Sequence, residues 1–414
     1  MKVRLQPAFS DPSLDAKSTS SQRQLSLSIS ALTEEQDRQL PLNLCLVLDR
    51  SGSMSGRPLE TVKQAAINLV EQLTPSDRLS VVAFDHRANI IIANQAVEDL
   101  ERVKHKILSL KADGGTCIDE GMKLAIQEAA SGKQDRVSQI FLLTDGENEH
   151  GDNQRCLKLA HLASEHHITL NTLGFGERWN QDVLEQIADS ARGTLCYIEE
   201  PEQAATEFSR LFGRLQSVGL TNAYLCLEFI PQVRLAELKP VAQVSPETVE
   251  LPVQAEGNGC SVRLGDLMTG DARVILVNLY LSQLPPGRQR IGSVQVRYDD
   301  PALSRQGLVS EKIPLCVEVQ EVYQPQPDEQ VQHSVLTLAK YRQTQMAEEK
   351  LKQGDRAGAA TMLQTAAKTA TQLGDRQAAT VLQTNATRLQ AGEELSEAER
   401  KKTRMVAKTI LQEQ

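Results

Sequence analysis

Aromatic residues are scarce in this chain. One tryptophan, six tyrosines and seven phenylalanines make up only 3% of its 414 residues, so platforms on which nucleic-acid bases could stack are few. A basic surplus is missing too. Lys+Arg number 45 against Asp+Glu 54, a formal net charge of −9, whereas neutralising phosphates requires a positive surface. No nucleic-acid partner is expected. No apolar run approaches the ~18–20 residues of a membrane span. The opening stretch MKVRLQPAFSDPSLDAK has no apolar segment of the signal-peptide kind. The seven cysteines (Cys45, Cys117, Cys156, Cys196, Cys226, Cys260, Cys316) are scattered, odd in number and form no C-x-x-C pair. Reduced thiols and a cytoplasmic location are the expectation. Cys45 and Cys226 lie in apolar runs and read as small core hydrophobes.

Several catalytic and cofactor signatures are absent as well. HLASEHH (His161–His167) lacks the H-E-x-x-H spacing of a helical zinc site. LGFGERW supplies G-x-G without the further glycine of a dinucleotide loop, and reads as a turn. No Ser-His-Asp arrangement has motif support.

Hydrophobic residues reach 40%, enough for real cores, and the length suits two to four domains. Residues 1–40 hold two extended segments, KVRLQPAF and RQLSLSISAL; in the second, Leu25, Leu27 and Ile29 share one face. From Pro41 short apolar runs alternate with helical stretches. LNLCLVL, RLSVVAF, ANIIIAN, SQIFLLT, ITLNTLGF and TLCYI read as strands, and RPLETVKQAAINLVEQL and its successors as helices. That alternation predicts a mainly parallel sheet covered on both faces over 41–217. Over 218–322 strand-like runs separated by Pro, Gly and Asp predict an antiparallel β-sandwich, with residues 1–40 contributing strands to it because an isolated hairpin is marginal in water. YQPQPDEQ marks a linker over 323–330. Residues 331–414 read as helices only, with GDR recurring at Gly354 and Gly374; a short stack of tetratricopeptide-like hairpins and a plain small bundle fit equally.

One apolar run stops in an unusual way. LNLCLVL drives into Asp49, and Ser51 and Ser53 follow around Gly52. In an open parallel sheet, ligands bind beyond the carboxyl ends of the strands. Asp145 closes another strand in TDGEN, and Thr116 follows a glycine pair in ADGGTCIDEG. Asp49, Ser51, Ser53, Thr116 and Asp145 thus offer two carboxylates and three hydroxyls. All are oxygen donors, the kind a hard cation takes, with Mg²⁺ the first choice and Mn²⁺ or Ca²⁺ as alternatives. The plain reading, that Asp, Ser and Gly are ordinary turn formers, covers each loop singly. An aspartyl nucleophile at Asp49 would want a second acid two residues on, where Ser51 stands.

D-x-S-x-S in DRSGSMSG, then Thr in GGTCIDEG, then TDG in TDGENEHG resembles the metal-ion-dependent adhesion site of the von Willebrand factor A family, in its prokaryotic, inter-alpha-inhibitor and calcium-activated-chloride-channel-like branch. The resemblance covers roughly residues 41–200. It implies a Rossmann-like α/β domain and a cation completed by a Glu or Asp of a protein partner, hence a divalent-cation-dependent protein-binding module rather than an enzyme. The expected contact rim is Ser53–Arg57, Asp113–Cys117 and Glu147–Gly151. The resemblance also implies an alternative, an accessory subunit of an AAA+ ATPase of the MoxR or chelatase kind. A metal-dependent hydrolase is a third reading, without a recognisable general base beside the cluster. Arg50 places a cation inside the metal loop, which could weaken metal affinity.

Overall fold

The computed structural model describes residues 3–32, 40–176, 179–257 and 259–409. The parts of the expectations that concern 1–2, 33–39, 177–178 (within LGFGERW) and 410–414 lie outside the described residues.

Three strands come first: β1 (Val3–Phe9), β2 (Ser13–Asp15) and β3 (Ser20–Ala31). An α/β unit follows: β4 (Leu42–Asp49), α1 (Arg57–Val70), β5 (Arg78–Phe84), β6 (Ala88–Ala96), α2 (Leu100–Leu108), α3 (Ile118–Ser131), β7 (Val137–Thr144), α4 (Asn153–Glu165), β8 (Thr169–Phe175), α5 (Gln181–Ser190), β9 (Arg192–Ile198) and α6 (Ala204–Gln216). Its sheet runs β6-β5-β4-β7-β8-β9, parallel except for the edge strand β6. Every residue of β4 and β7 is buried, as strands covered on both faces must be. Alternation sorts β4 between two cores. Leu44, Leu46 and Leu48 pack with α1, α2 and α6, while Cys45 and Val47 pack with α3, α4 and α5.

Where β8 meets β9 the strands are close-set. A Cβ at Gly193 would lie 1.9 Å from the Leu170 carbonyl oxygen, a backbone atom that cannot swing aside. Gly193→Ala should therefore destabilise the chain by roughly 1–3 kcal/mol, the range for overpacking. Thermal unfolding checks this, and an unchanged midpoint would contradict it.

The second all-strand segment comprises β10 (Val218–Phe229), β11 (Val233–Leu235), β12 (Val241–Ser245), β13 (Val249–Glu250), β14 (Val253–Glu256), β15 (Gly259–Met268), β16 (Arg273–Ser282), β17 (Gly287–Asp300), β18 (Arg305–Val309) and β19 (Ile313–Gln320). Two sheets form, β1-β3-β16-β12-β13 and β14-β15-β10-β17-β19-β2. β3 pairs antiparallel with β16 from Ile29↔Arg273 to Ser20↔Ser282. The α/β unit therefore interrupts, in sequence, a sandwich whose strands come from both sides of it. Leu25, Leu27 and Ile29 of one sheet share a core with Leu225, Leu227, Val294 and Val296 of the other. Cys226 differs from the core position expected of it. It is only half-buried, because the two-residue period of β10 turns Leu225 and Leu227 inward and Cys226 to the outer face.

The chain ends in α7 (Glu329–Lys352), α8 (Arg356–Gln372), α9 (Arg376–Gln390) and α10 (Glu397–Lys408). Each GDR turn starts a helix, with Asp355 accepting from the Gly358 N–H and Asp375 from the Ala378 N–H. α10 folds back onto α7 and α9. Among the described residues no helix is long and apolar enough to cross a membrane.

Two contacts orient these parts. On the sandwich side, Asp266 accepts from Thr169 at 3.0 Å and Gln139 at 3.3 Å, at the amino ends of β8 and β7. On the flank, α10 lies along α5. Lys408 Nζ reaches Asp189 at 2.7 Å and Glu185 at 3.1 Å, and those carboxylates hold the ammonium protonated far above its ordinary range despite burial. Arg404 pairs with Asp182 and Glu348, and Lys401 stands 4.2 Å over the Trp179 ring. The carboxyl ends of β4 and β7 lie at the opposite end of the sheet from the Asp266 contact.

Candidate metal centre

β4 delivers Asp49 to the carboxyl edge of the sheet with no exposed surface. Its Oδ1 accepts from the Ser51 N–H at 2.8 Å, and its Oδ2 from the Thr144 hydroxyl at 2.5 Å. The chain then turns through Gly52, so that Ser51 Oγ and Ser53 Oγ come within 3.0 Å of each other. Ser53 Oγ donates to Asp145 Oδ1 at 2.7 Å, across 92 residues of sequence. Thr116 is buried on the neighbouring loop. Gly146 locates it: a Cβ there would be 3.4 Å from Thr116 Oγ1 and 4.0 Å from Ser53 Oγ, so both hydroxyls border the same small space.

Backbone bonds clamp the three loops together. Gly52 N–H donates to the Gly114 carbonyl at 2.9 Å, Asp113 N–H to that of Arg50 at 2.8 Å, and His150 N–H to that of Thr116 at 3.0 Å. At the glycine pair before Thr116 a side chain would push against two histidines. Gly114 has φ +69°, and a Cβ there would lie 2.3 Å from His86 Nδ1; one at Gly115 would lie 2.3 Å from the His150 ring. Asn148 Oδ1 accepts from the Ile118 N–H at 2.7 Å, tying the loop after β7 to the start of α3.

All five residues singled out in the sequence stand at this edge, four of them joined by hydrogen bonds and Thr116 beside them. Two others matter and were missed. Thr144 holds the buried carboxylate of Asp49; its only signal was its place just before Asp145. Asp85 binds Arg50 at 2.6 Å, so the cation in the loop is balanced locally rather than aimed at the cluster. Among the described residues no group of three or more His, Cys, Asp or Glu, those of HLASEHH included, is placed to hold a metal.

The donor set fits a small hard cation. Six oxygens at about 2.0–2.1 Å from an octahedral ion stand about 2.9 Å from their neighbours. The Ser51–Ser53 and Ser53–Asp145 separations, 3.0 and 2.7 Å, bracket that edge length. Among the described residues Asp49 also has no cationic partner. Burial, helped by the charge of Asp145, pushes its pKa up to about 6 against the pull of Thr144 and Ser51.

A pH dependence follows. Without metal the folded chain keeps the Asp49 proton to about pH 6, whereas the unfolded chain releases it near 3.8. Stability therefore falls as pH rises between those values, by on the order of 2–3 kcal/mol, and is flat above. A cation taking the place of that proton should raise the melting temperature more at pH 7 than at pH 5. Melting curves with and without Mg²⁺ at both pH values check this, and an equal rise at both would contradict it.

Sequence comparison places the chain among known proteins. It is 63% identical over 412 residues to protein sll0103 of Synechocystis sp., covering all of this chain and 98% of that one. The profile of the von Willebrand factor type A domain matches residues 43–210. The chain belongs to the sll0103-like family of von Willebrand factor A proteins. Within this family protein, residues 329–413 match the Sll0103-like C-terminal alpha-helical domain. Human inter-alpha-trypsin inhibitor heavy chain H4 is 28% identical over 193 residues, a match that spans 44% of this chain and only 21% of the heavy chain. The solved von Willebrand factor type A protein of Catenulispora acidiphila has the same fold from end to end, with a TM-score of 0.81 at 16% identity, covering 100% of this chain and 98% of that one.

Proposed function

We propose that this von Willebrand factor A protein is a divalent-cation-dependent protein-binding module. Asp49, Ser51, Ser53, Thr116 and Asp145 would hold Mg²⁺, or Mn²⁺ in its place, and a Glu or Asp of the partner would complete the coordination. The observation that carries the reading is the hydrogen-bonded set Asp49–Ser51–Ser53–Asp145 at the carboxyl edge, with its outermost member, Ser53, open to solvent. Three of the five donors are neutral hydroxyls, so the site retains a pull on an anionic oxygen from outside.

One coordination bond is not an interface. Micromolar binding corresponds to about 8 kcal/mol, after offsetting lost rotational and translational freedom. The surrounding loops offer the rest. Glu147, in the loop that carries Asp145, also borders a cleft of 230 Å³ whose other walls include Trp179 and, from the helical domain, Leu395 and Arg400. A partner seated on the metal would reach that domain.

Partner capture from lysate by the immobilised chain, followed by affinity measurement on the isolated partner, tests the reading. Binding should vanish with EDTA and weaken at least roughly tenfold in Thr116→Ala, which removes a neutral ligand and leaves the loop backbone bonds. A partner bound equally well under both conditions would move recognition to another face.

A further inference from the structure

Two hydrophobic cores face each other without fusing where α10 lies along α5. Trp179 belongs to that of the α/β unit, Leu363 and Leu395 to that of the helical domain. Between them runs the cleft of 230 Å³ that Glu147 borders. Long charged side chains span the gap. Arg404 and Lys352 reach Asp182, and Lys408 reaches Glu185 and Asp189. Pairs of that length hold the two walls apart. Protein interiors otherwise pack like organic crystals, and an unfilled apolar gap forfeits the contacts its lining atoms would make.

The wall tells what would fill it. Four acids and four bases line the cleft, so no net charge draws an ion in. Its apolar part comprises Trp179, Ala347, Leu351, Leu363 and Leu395. The indole is held in place: Nε1–H donates to the Gly176 carbonyl at 2.8 Å, and Lys401 covers one face at 4.2 Å. A wall fixed beforehand costs little to order on binding. At 230 Å³ the cleft is smaller than the ~300–1,000 Å³ of cofactor and drug-sized pockets, and it matches one large side chain.

The cleft adjoins the candidate metal centre. Glu147 follows Asp145 by two residues in the same loop. Two residues span at most about 7 Å, so a chain whose carboxylate sits on the metal needs only roughly two to four further residues to bring another side chain to the cleft.

We propose that this cleft receives one large aliphatic or aromatic side chain of the same partner segment that supplies a carboxylate to the metal. The recognised element is then short and linear, an acid and a leucine- or phenylalanine-like residue a few positions apart. The proposal rests on the metal-dependent reading and adds the second half of the contact. The inserted side chain joins the two cores through apolar surface removed from water. Because acid and apolar residue belong to one chain, the second contact forms intramolecularly, and the affinity of the pair exceeds that of either alone.

Trp179 is the chain's only tryptophan, so its fluorescence reports on the cleft. The full chain is titrated in EDTA and in Mg²⁺ with N-acetyl-leucinamide and N-acetyl-phenylalaninamide, the alanine amide serving as control. At least one of the two large amides should give a saturable change, equal in both buffers, and the alanine amide none. Capped peptides joining a glutamate to a leucine through roughly one to four glycines come next. At least one spacer should bind at least roughly tenfold more tightly in Mg²⁺ than in EDTA. Leu351→Gln, at a partly exposed position near the end of α7, should lose the response to the amides and keep Mg²⁺ binding by calorimetry. No saturable response to either large amide, or a full response in Leu351→Gln, would overturn the proposal while leaving the metal reading untouched. Amide binding without any spacer that gains from Mg²⁺, in a chain that calorimetry shows to bind Mg²⁺, would separate the cleft from the metal and overturn it as well. A chain that binds no Mg²⁺ would overturn the metal reading itself, and this proposal with it.

Discussion

Replacing Asp49 with asparagine should abolish saturable binding of Mg²⁺ or Mn²⁺, a loss of roughly 100-fold or more in affinity, without unfolding the chain. The side chain keeps its shape, so the Ser51 N–H and the Thr144 hydroxyl retain a polar neighbour at the place of the carboxylate. What disappears is the charge. That charge is buried beside Asp145, with no cationic partner among the described residues, and burial above all holds the proton on the carboxyl to about pH 6. The metal-free Asp49→Asn protein should therefore be at least as stable at pH 7 as the parent. Its stability should also lose the part of the decline between pH 4 and 6 that Asp49 contributes. Loss of metal binding with gain of metal-free stability is a combination that a purely structural Asp49 would not produce. Calorimetry and melting curves on the same preparation read both, and undiminished metal binding would remove Asp49 from the site.

Lys340→Met should destabilise the helical domain by about 3–5 kcal/mol, the cost of stranding one member of a buried ion pair. Lys340 is fully buried on α7. Its ammonium donates to Asp375 Oδ2 at 2.9 Å and to the carbonyls of Val406 at 2.7 Å and Thr409 at 3.2 Å. It thus joins the α8–α9 turn to the end of α10. Asp375 also caps α9, so leaving its charge unpaired strains the start of that helix as well. Because α10 carries Arg404 and Lys408 onto α5, loosening it should also raise hydrogen exchange along α5. The double variant Lys340→Met with Asp375→Asn should recover part of the loss, since no uncompensated charge then remains. A loss below about 1 kcal/mol in the single variant would show that water reaches Asp375 after all.

The order in which features become legible follows from how local their causes are. β4 and β7 are buried at every position and mostly apolar because helices cover both faces, so a parallel sheet can be read from LNLCLVL and SQIFLLT without knowing their neighbours. Leu25, Leu27 and Ile29 alternate because only one face of β3 is in the core. The residues of the candidate metal centre cluster in three short strings, two at the ends of β4 and β7 and one, that of Thr116, in the loop before α3. What stayed hidden depends on residues far apart in sequence. The partner of Arg50 is Asp85, thirty-five positions on, and nothing in DRSGSMSG announces it. Lys408 meets Glu185 and Asp189 across more than two hundred residues, so the docking of the helical domain on α5 could not be read from either segment. Cys226 misled because a run such as AYLCLEF looks uniformly apolar, while its alternate residues face opposite ways.

A crystal of the full chain soaked in Mn²⁺, with anomalous diffraction collected at the manganese edge, tests the metal centre most directly. The account predicts a single strong peak at the carboxyl edge of the sheet, about 2.0–2.3 Å from Ser51 Oγ and Ser53 Oγ. Thr116, Asp49 and Asp145 should be directly bound or one water away, and the peak should be absent in Asp49→Asn. A peak at another position, or none at saturating Mn²⁺, would contradict it.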